Sequence, residues 1–227
     1  ARPSATVVAT LETTTTINGG NFGNKIYTNN INNIDYGILL VGASVSAYLD
    51  NGNDIGGASA ATGNSISNWG GNSTALSTFN ITTSDNIAIF VHNQVNENVS
   101  YNSINSAAIT GGFLNIDGIL KSSTATATGA SLISTFNNNT ITISSSNLNG
   151  TMIGIYAGGS FTSSTSTINI NNNTLLNCVL NGVGTSSSFL GFYHTSNCGT
   201  WNITSNIIRG TSTSSTTGQF TGISNTG

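Results

Sequence analysis

Apolar residues in this chain alternate with small polar residues over short stretches. The segments Thr167–Ile170 and Thr200–Ile203 each place an apolar side chain at every second position. Alternation over four to six residues is typical of a β-strand with one buried face. The longest apolar stretch, Gly37–Leu49, contains two serines and is shorter than the ~20 residues of a membrane-spanning helix. The pattern predicts an all-β chain of short strands with no membrane-inserted segment.

One motif recurs along the chain at intervals of 33–38 residues: an asparagine followed two positions later by an aliphatic residue. The asparagines are Asn29, Asn64, Asn102, Asn139, Asn173 and Asn206. The aliphatic residues are Ile31, Ile66, Ile104, Ile141, Leu175 and Ile208. A further apolar residue stands three positions before each asparagine, at Ile26, Ala61, Val99, Phe136, Ile170 and Ile203. Short strands that recur at a fixed period of this length predict a solenoid.

A second element follows each motif and joins a glycine to apolar and aromatic residues. It is clearest at Ile153–Tyr156, Leu190–Tyr193 and Asp117–Leu120. The equivalent in the second repeat is Asn86–Phe90, and in the first repeat it is Tyr36–Leu39, which follows its asparagine unusually soon. Each repeat therefore contains several strands rather than one.

These observations predict a single-stranded parallel β-helix of about six coils, each of 33–38 residues and three short strands. Each strand pairs with its equivalent one coil away, at the ~4.8 Å spacing between strands. We expect the six aliphatic residues to stack inward as a core column, with Thr, Ser and Asn facing outward. Residues 1–23 are predicted to form an N-terminal strand or partial coil, and residues 24–227 the β-helix domain. Because neither end shows a polar cap, we expect this domain to be a segment of a longer chain or to dock to a partner at one end.

The recurring asparagines have a predicted structural role. Asparagine tolerates the left-handed backbone conformation that a tight bend between strands often requires. Its side-chain amide can also bond the amide of the equivalent asparagine on the next coil, which forms a ladder and satisfies buried polar atoms. We therefore expect the six asparagines to be turn and ladder residues rather than ligand groups.

Composition excludes several classes of function. Ser, Thr and Asn together supply 101 of the 227 residues, whereas only four residues are basic and seven acidic. Four scattered cations cannot supply the basic surface of a nucleic-acid-binding protein, and they provide no basic face for binding a membrane surface. The low charge and the regular apolar spacing also argue against a disordered chain. We expect no cofactor.

No constellation of catalytic residues is visible in the sequence. Hydrolysis of a glycosidic bond needs two carboxylates some 5–10 Å apart, and only Asp50 and Asp54 are close in sequence. Neither His92 nor His194 has a carboxylate partner at a recognisable spacing, so both are interpreted as strand-end residues. The sequence therefore predicts a protein that is not an enzyme.

Three candidate binding features are weaker. The segment Asp50–Gly57 resembles a calcium loop but lacks the final bidentate glutamate, so we expect a solvated turn or an insertion in the long first repeat, and no metal. Pairs of threonines separated by one residue suggest ice binding, but their offsets from the asparagines differ. The aromatic residues that could form a sugar-stacking platform share no register and are expected to serve packing; they are Tyr36, Tyr48, Trp69, Tyr101 and Tyr193.

The two cysteines, Cys178 and Cys198, leave two interpretations open. A disulfide would suit a weakly charged extracellular chain, and closing the intervening loop is entropically feasible. Two reduced, buried thiols are the alternative. Metal binding is not expected, because no second pair of ligands stands at a suitable spacing.

The segments Asn171–Leu175 followed by Phe189–Tyr193, and Asn139–Ile141 followed by Gly154–Tyr156, resemble repeats of very large secreted proteins of Bacteroidota. That resemblance covers roughly residues 24–227. It implies a right-handed parallel β-helix, export by the type IX system, and display as a surface adhesin or fibre without catalytic residues. The sorting domain at the C-terminus of that family has no counterpart in this sequence.

The expected function is therefore a non-catalytic, extracellular or cell-surface structural and adhesive module. Its expected partners are other repeats of the same polypeptide or a fibre partner packed end to end, with glycans as further candidates and neither nucleic acid nor membrane. A carbohydrate-binding or carbohydrate-active β-helix of the lyase or glycosidase type is the alternative, and an ice-binding solenoid is a third.

Overall fold

A computed structural model describes residues 20–70, 86–109, 115–127, 131–146, 150–161, 165–181, 187–214 and 218–226. Most of the predicted N-terminal segment, residues 1–19, lies outside these ranges. The described residues form twenty-four strands and one short 3-10 turn, Ser46–Tyr48. The strands are β1 Lys25–Ile26, β2 Asn30–Ile34, β3 Ile38–Val41, β4 Asp50–Asn51, β5 Asp54–Ile55, β6 Ser65–Trp69, β7 Asn86–His92, β8 Gln94–Val95, β9 Asn98–Ser100, β10 Ser103–Ile109, β11 Asn115–Ser122, β12 Thr126–Ala127, β13 Ile133–Asn137, β14 Thr140–Ser145, β15 Thr151–Ala157, β16 Ser160–Phe161, β17 Thr167–Asn171, β18 Thr174–Leu176, β19 Val179–Leu180, β20 Ser188–His194, β21 Thr200–Thr204, β22 Ile207–Arg209, β23 Ser212–Thr213 and β24 Phe220–Asn225.

Three long sheets build the molecule, and each stacks strands that are far apart in sequence. Sheet 1 has the order β1-β5-β9-β13-β17-β21, and sheet 2 contains the path β2-β6-β10-β14-β18-β22. Sheet 3 has the order β3-β7-β11-β15-β20-β24, and shorter pairs join β4 to β8 and β12 to β16. The strand pairs along all three sheets are parallel. The all-β parallel β-helix predicted from the repeat is therefore confirmed.

The interior of the coil is filled by columns of apolar side chains. The predicted aliphatic residues pair in register along sheet 2, in the order Ile31, Ile66, Ile104, Ile141, Leu175, Ile208. The four inner members of this column are fully buried, with exposed fractions of 0–1%. Burial of one such side chain contributes about 1.5–3 kcal/mol, so the column is a major source of stability.

Sheet 1 supplies a second core column, and one of its members differs from the residue that the sequence pattern predicts. Ile26, Val99 and Phe136 share this column, as predicted, but its member in the second coil is Ile55 rather than Ala61. Residues 56–63 form a long corner, made mostly of turns, between Ile55 and Asn64. Counting backward from the asparagine therefore fails in this coil, because the inserted residues displace the core position.

The glycines of the second element stack where sheet 3 approaches the sheet 2 core column. A Cβ atom on Gly154 would lie 2.5 Å from the carbonyl oxygen of Gly191 and 2.6 Å from a methyl carbon of Leu175. Gly191 is similarly close to Gly222 and Ile208. Because real Cβ contacts are longer, only glycine lets the two sheets approach this closely. The apolar–glycine–apolar element is thus a packing requirement of the coil.

The tight bends before the asparagines differ from the prediction in which residue is left-handed. The positive backbone angle belongs to the residue before five of the six asparagines, with φ of 54–60° at Thr28, Tyr101, Asn138, Asn172 and Ser205. The asparagines themselves have ordinary backbone angles, so the prediction that they occupy the left-handed position is wrong. The bend turns the next residue inward, which places the asparagine side chain inside the coil.

Candidate functional sites

An asparagine ladder runs along the axis of the coil, as the sequence predicts. Oδ1 of Asn139 accepts hydrogen bonds from the main-chain N–H and from Nδ2 of Asn102, both at 3.0 Å. Nδ2 of Asn139 donates to Oδ1 of Asn173 at 3.0 Å and to the carbonyl oxygen of Val99 at 2.8 Å. The same pattern of N and Nδ2 donors to the next Oδ1 joins all six asparagines at 2.8–3.3 Å.

The ladder is buried in the middle of the coil and more exposed toward its ends. Asn64, Asn102, Asn139 and Asn173 are 0–2% exposed, whereas Asn29 is exposed. At each inner rung both hydrogens of Nδ2 are used, one for the next asparagine and one for a main-chain carbonyl. A buried amide with all its hydrogen bonds made costs little, so the six residues act as structural groups rather than as a ligand site.

A second polar network lies at the corner between sheets 3 and 1 and was not predicted. Asn53 accepts from the main-chain N–H and Nδ2 of Asn24 at 2.9 and 3.0 Å and donates to Oε1 of Gln94 at 2.7 Å. Nε2 of Gln94 then donates to Oδ2 of Asp50 at 3.0 Å. Asn53, Gln94 and Asp50 are 1–3% exposed. These residues repeat the ladder arrangement with mixed side chains, so no single residue type signals it in the sequence.

A buried ion pair completes this corner. Nζ of Lys121 lies 2.6 Å from Oε1 of Glu97 and 2.9 Å from the carbonyl oxygen of Gln94. Both charged side chains are 1% exposed. Charges removed from water need close partners, and each partner here holds the other in place across neighbouring coils. The pair therefore serves the fold, because each charge is balanced by its partner inside the coil.

The segment that resembles a calcium loop is part of the coil wall. Asp50 and Asp54 lie in β4 and β5, and Asp50 is only 3% exposed, so the predicted solvated turn is wrong. Asp54 accepts hydrogen bonds from Asn98, from the main-chain N–H of Gly57 and from the Tyr27 hydroxyl. The hydrogen bond to Asp54 raises the pKa of Tyr27. Within the described ranges, no group of three His, Cys, Asp or Glu residues could hold a metal ion.

The two cysteines are free thiols with separate surroundings, so the disulfide that the sequence left open is not formed. Cys178 is fully buried between β18 and β19, and burial raises its pKa to about 11. Cys198 is half-buried at the entry to β21, where its sulfur donates to the carbonyl oxygen of Thr200 at 3.3 Å. Their loop of sequence could close entropically, but Cys178 lies between β18 and β19 of sheet 2, whereas Cys198 precedes β21 of sheet 1.

Cys198 has a histidine neighbour that sequence spacing did not identify as a partner. Its sulfur lies 3.4 Å from Nε2 of His194, and Nδ1 of His194 lies 3.1 Å from Oδ1 of Asn225. Trp201 stacks on the imidazole with ring centroids 4.4 Å apart. A hydrogen bond donated by Nδ1 to Asn225 places the lone pair of Nε2 toward the sulfur, whose own hydrogen is directed to Thr200. Burial lowers the pKa of His194 and raises that of Cys198, so both groups are neutral near pH 7.

His92 and the aromatic residues considered for a sugar-stacking platform lie at different places in the coil. His92 ends β7, and Nδ1 lies 2.8 Å from the Ser122 hydroxyl; burial and then the charge of Lys121 lower its pKa. Trp69 is fully buried, and Tyr48 lies in the 3-10 turn. Among the five aromatic residues considered for that platform, Tyr193 stacks on a further tyrosine, Tyr156, which stands at the equivalent position of the second repeated element.

Comparisons with protein-family models, with curated proteins and with solved structures give no match to this chain. In the part of the chain that the structure describes, no helix is long and apolar enough to cross a membrane.

Proposed function

We propose that this chain is a non-catalytic structural and adhesive module of an extracellular or cell-surface fibre, in which the coil acts as a rigid spacer. The observation that carries this proposal is the unbroken ladder of six asparagines. Each rung joins neighbouring coils through side chains as well as through the sheets, so the rod resists bending and local opening. Low charge suits contacts made by hydrogen bonds and strand edges rather than by electrostatic attraction.

The use of the acidic side chains supports a structural role over catalysis. Asp50 and Asp54 accept hydrogen bonds from neighbouring coils, and Glu97 is paired with Lys121 in the interior. A glycosidase would instead need two carboxylates facing each other across an open cleft. The carboxylates close in sequence are thus occupied in holding one coil to the next.

Features of the last described coil support end-to-end packing. Phe220 and Ile223 are 49% and 54% exposed, although their partners in the preceding strand, Phe189 and Phe192, are buried in the core. On the last rung, Nδ2 of Asn206 donates to the carbonyl oxygen of Ile170, which leaves one hydrogen for a further rung. A further coil, from the same polypeptide or from a fibre partner, would cover this apolar end and extend the ladder.

Sedimentation velocity over a range of protein concentrations tests end-to-end packing. We expect the chain to self-associate, Ile223→Lys to abolish association, and Ile133→Lys to leave it unchanged. Ile133 is a matched control because it is 47% exposed but lies on β13, in the middle of sheet 1. A chain that stays monomeric at every concentration, or equal effects of Ile223→Lys and Ile133→Lys, would contradict the proposed packing.

Labelling of intact and permeabilised source cells with an antibody against the chain tests the surface location.

A further inference from the structure

A groove of about 310 Å³ crosses three neighbouring strands of sheet 3, on the face turned away from the core. Strands β11, β15 and β20 contribute its residues, so the groove extends about 10 Å along the rod axis. Its volume lies at the lower end of the range for small-molecule sites. None of the ladder residues lines it, so it is separate from the structural network described above.

One side of the groove is an aromatic and aliphatic surface. Tyr156 and Tyr193 are register partners, and their rings stack with centroids 5.0 Å apart and an interplanar angle of 23°. Leu120 pairs with Tyr156 on the other side and continues the surface onto β11. Both tyrosines are half-buried, so part of each ring remains accessible. Stacked rings of this kind present a flat apolar face with a polar hydroxyl at the edge.

The other side of the groove combines polar side chains and one carboxylate with two aliphatic residues, Ile153 and Leu190. Asn115 and Thr151 are register partners at its margin, and Asp117 lies two residues further along β11. Asp117 is only 2% exposed, yet it lines the groove between the register partners Ile87 and Ile153. A carboxylate and two neutral polar side chains opposite an aromatic face provide acceptors for hydroxyl groups and an apolar surface for C–H groups.

We propose that this groove binds a neutral carbohydrate chain, whose pyranose rings lie against Tyr156 and Tyr193 while their hydroxyls bond Asp117 and its polar neighbours. Anionic ligands are disfavoured because a carboxylate lines the groove and the whole chain has only four Lys and Arg residues. An extended peptide would need an open strand edge, whereas the groove crosses paired strands in the middle of a sheet. A lipid tail would leave the polar side of the groove without partners.

The geometry supports binding rather than cleavage of the carbohydrate. Among the described residues that line the groove, Asp117 is the sole carboxylate. Hydrolysis of a glycosidic bond uses a pair of carboxylates on opposite sides of the bond. The groove therefore supplies an adhesive contact, and this inference does not depend on the end-to-end packing proposed above.

Affinity electrophoresis of the full chain in gels containing xyloglucan, galactomannan or mixed-linkage β-glucan tests the groove. Gels containing polygalacturonate or heparin provide the charged counterparts. We expect at least one neutral polysaccharide to retard the wild-type chain without release of reducing sugar. Retardation by none of the neutral polysaccharides, stronger retardation by the charged ones, or release of reducing sugar would each overturn the proposal.

Three variants assign the binding to the groove. Tyr193→Ala removes half of the stacked pair, and Asp117→Asn removes a charge while keeping the side-chain shape. We expect each to weaken binding about tenfold, which is the effect of losing one good stacking contact or charged hydrogen bond. Tyr48→Ala, which lies in the 3-10 turn outside the groove, is the matched control and should bind as the wild type does. Equal loss in Tyr48→Ala, or full binding by Asp117→Asn, would place the contact elsewhere.

Discussion

The substitution Asn139→Ala tests the ladder at its most buried point. Asn139 is fully buried, and its side chain makes four hydrogen bonds, two to Asn102, one to Asn173 and one to Val99. Alanine leaves two N–H groups of Asn102 and the carbonyl of Val99 without these partners. A buried polar group that loses its partner costs about 1–3 kcal/mol, so we expect a total loss of about 3–6 kcal/mol in the free energy of unfolding.

The two ends of the ladder provide graded controls for this prediction. Asn29 is exposed, and its side chain donates only to Asn64, so Asn29→Ala should cost about 0.5–1.5 kcal/mol. Asn206 is half-buried and accepts two hydrogen bonds from Asn173, so Asn206→Ala should give an intermediate loss. The free energy of unfolding should therefore be highest for Asn29→Ala, lower for Asn206→Ala and lowest for Asn139→Ala.

Urea denaturation followed by circular dichroism measures these differences, and amide hydrogen exchange locates them. In Asn139→Ala the amide of Asn102 should lose protection before amides in sheet 3 do, because its acceptor is the deleted oxygen. Equal losses for Asn139→Ala and Asn29→Ala, or a loss below about 1.5 kcal/mol at the buried position, would refute the ladder as a source of stability.

Three further predictions follow from the packing. Gly154→Ala should destabilise the chain by several kcal/mol or prevent folding, whereas Gly222→Ala should leave the melting temperature nearly unchanged, because its Cβ would meet its nearest atom only at 3.5 Å. Equal melting temperatures for the two variants would contradict the role of the stacked glycines. Lys121→Met should lower the free energy of unfolding by about 3–5 kcal/mol because it leaves a buried carboxylate unpaired, and a neutral effect in urea denaturation would contradict this. Iodoacetamide should alkylate Cys198 in the folded chain and Cys178 only after unfolding, as read by peptide mass spectrometry, because Cys178 is fully buried; alkylation of both thiols at equal rates would contradict the placement.

The repeat in the sequence was sufficient to predict the coil and its asparagine ladder. In a parallel β-helix, residues separated by one period become neighbours one strand spacing apart. A residue that needs an identical neighbour, such as Asn102 or Asn139, therefore recurs at that period and can be recognised without coordinates. The same holds for the aliphatic column through Ile104 and Ile141, because an inward position on one coil is inward on the next.

Only the tertiary structure decided the contacts that combine different residue types or irregular spacing. Lys121 meets Glu97 across 24 residues, and Asn53 meets Gln94 across 41 residues, and neither separation equals the repeat period. The stacked pair Tyr156 and Tyr193, in contrast, stands at the same position of the second repeated element, and only the structure shows that the two rings stack. Pairs such as Lys121 and Glu97 leave no periodic signal, because each combines two residue types at a separation that does not recur along the chain. The sequence thus determined how the chain winds, whereas the folded structure determined which unlike side chains meet on its surface and at its corners.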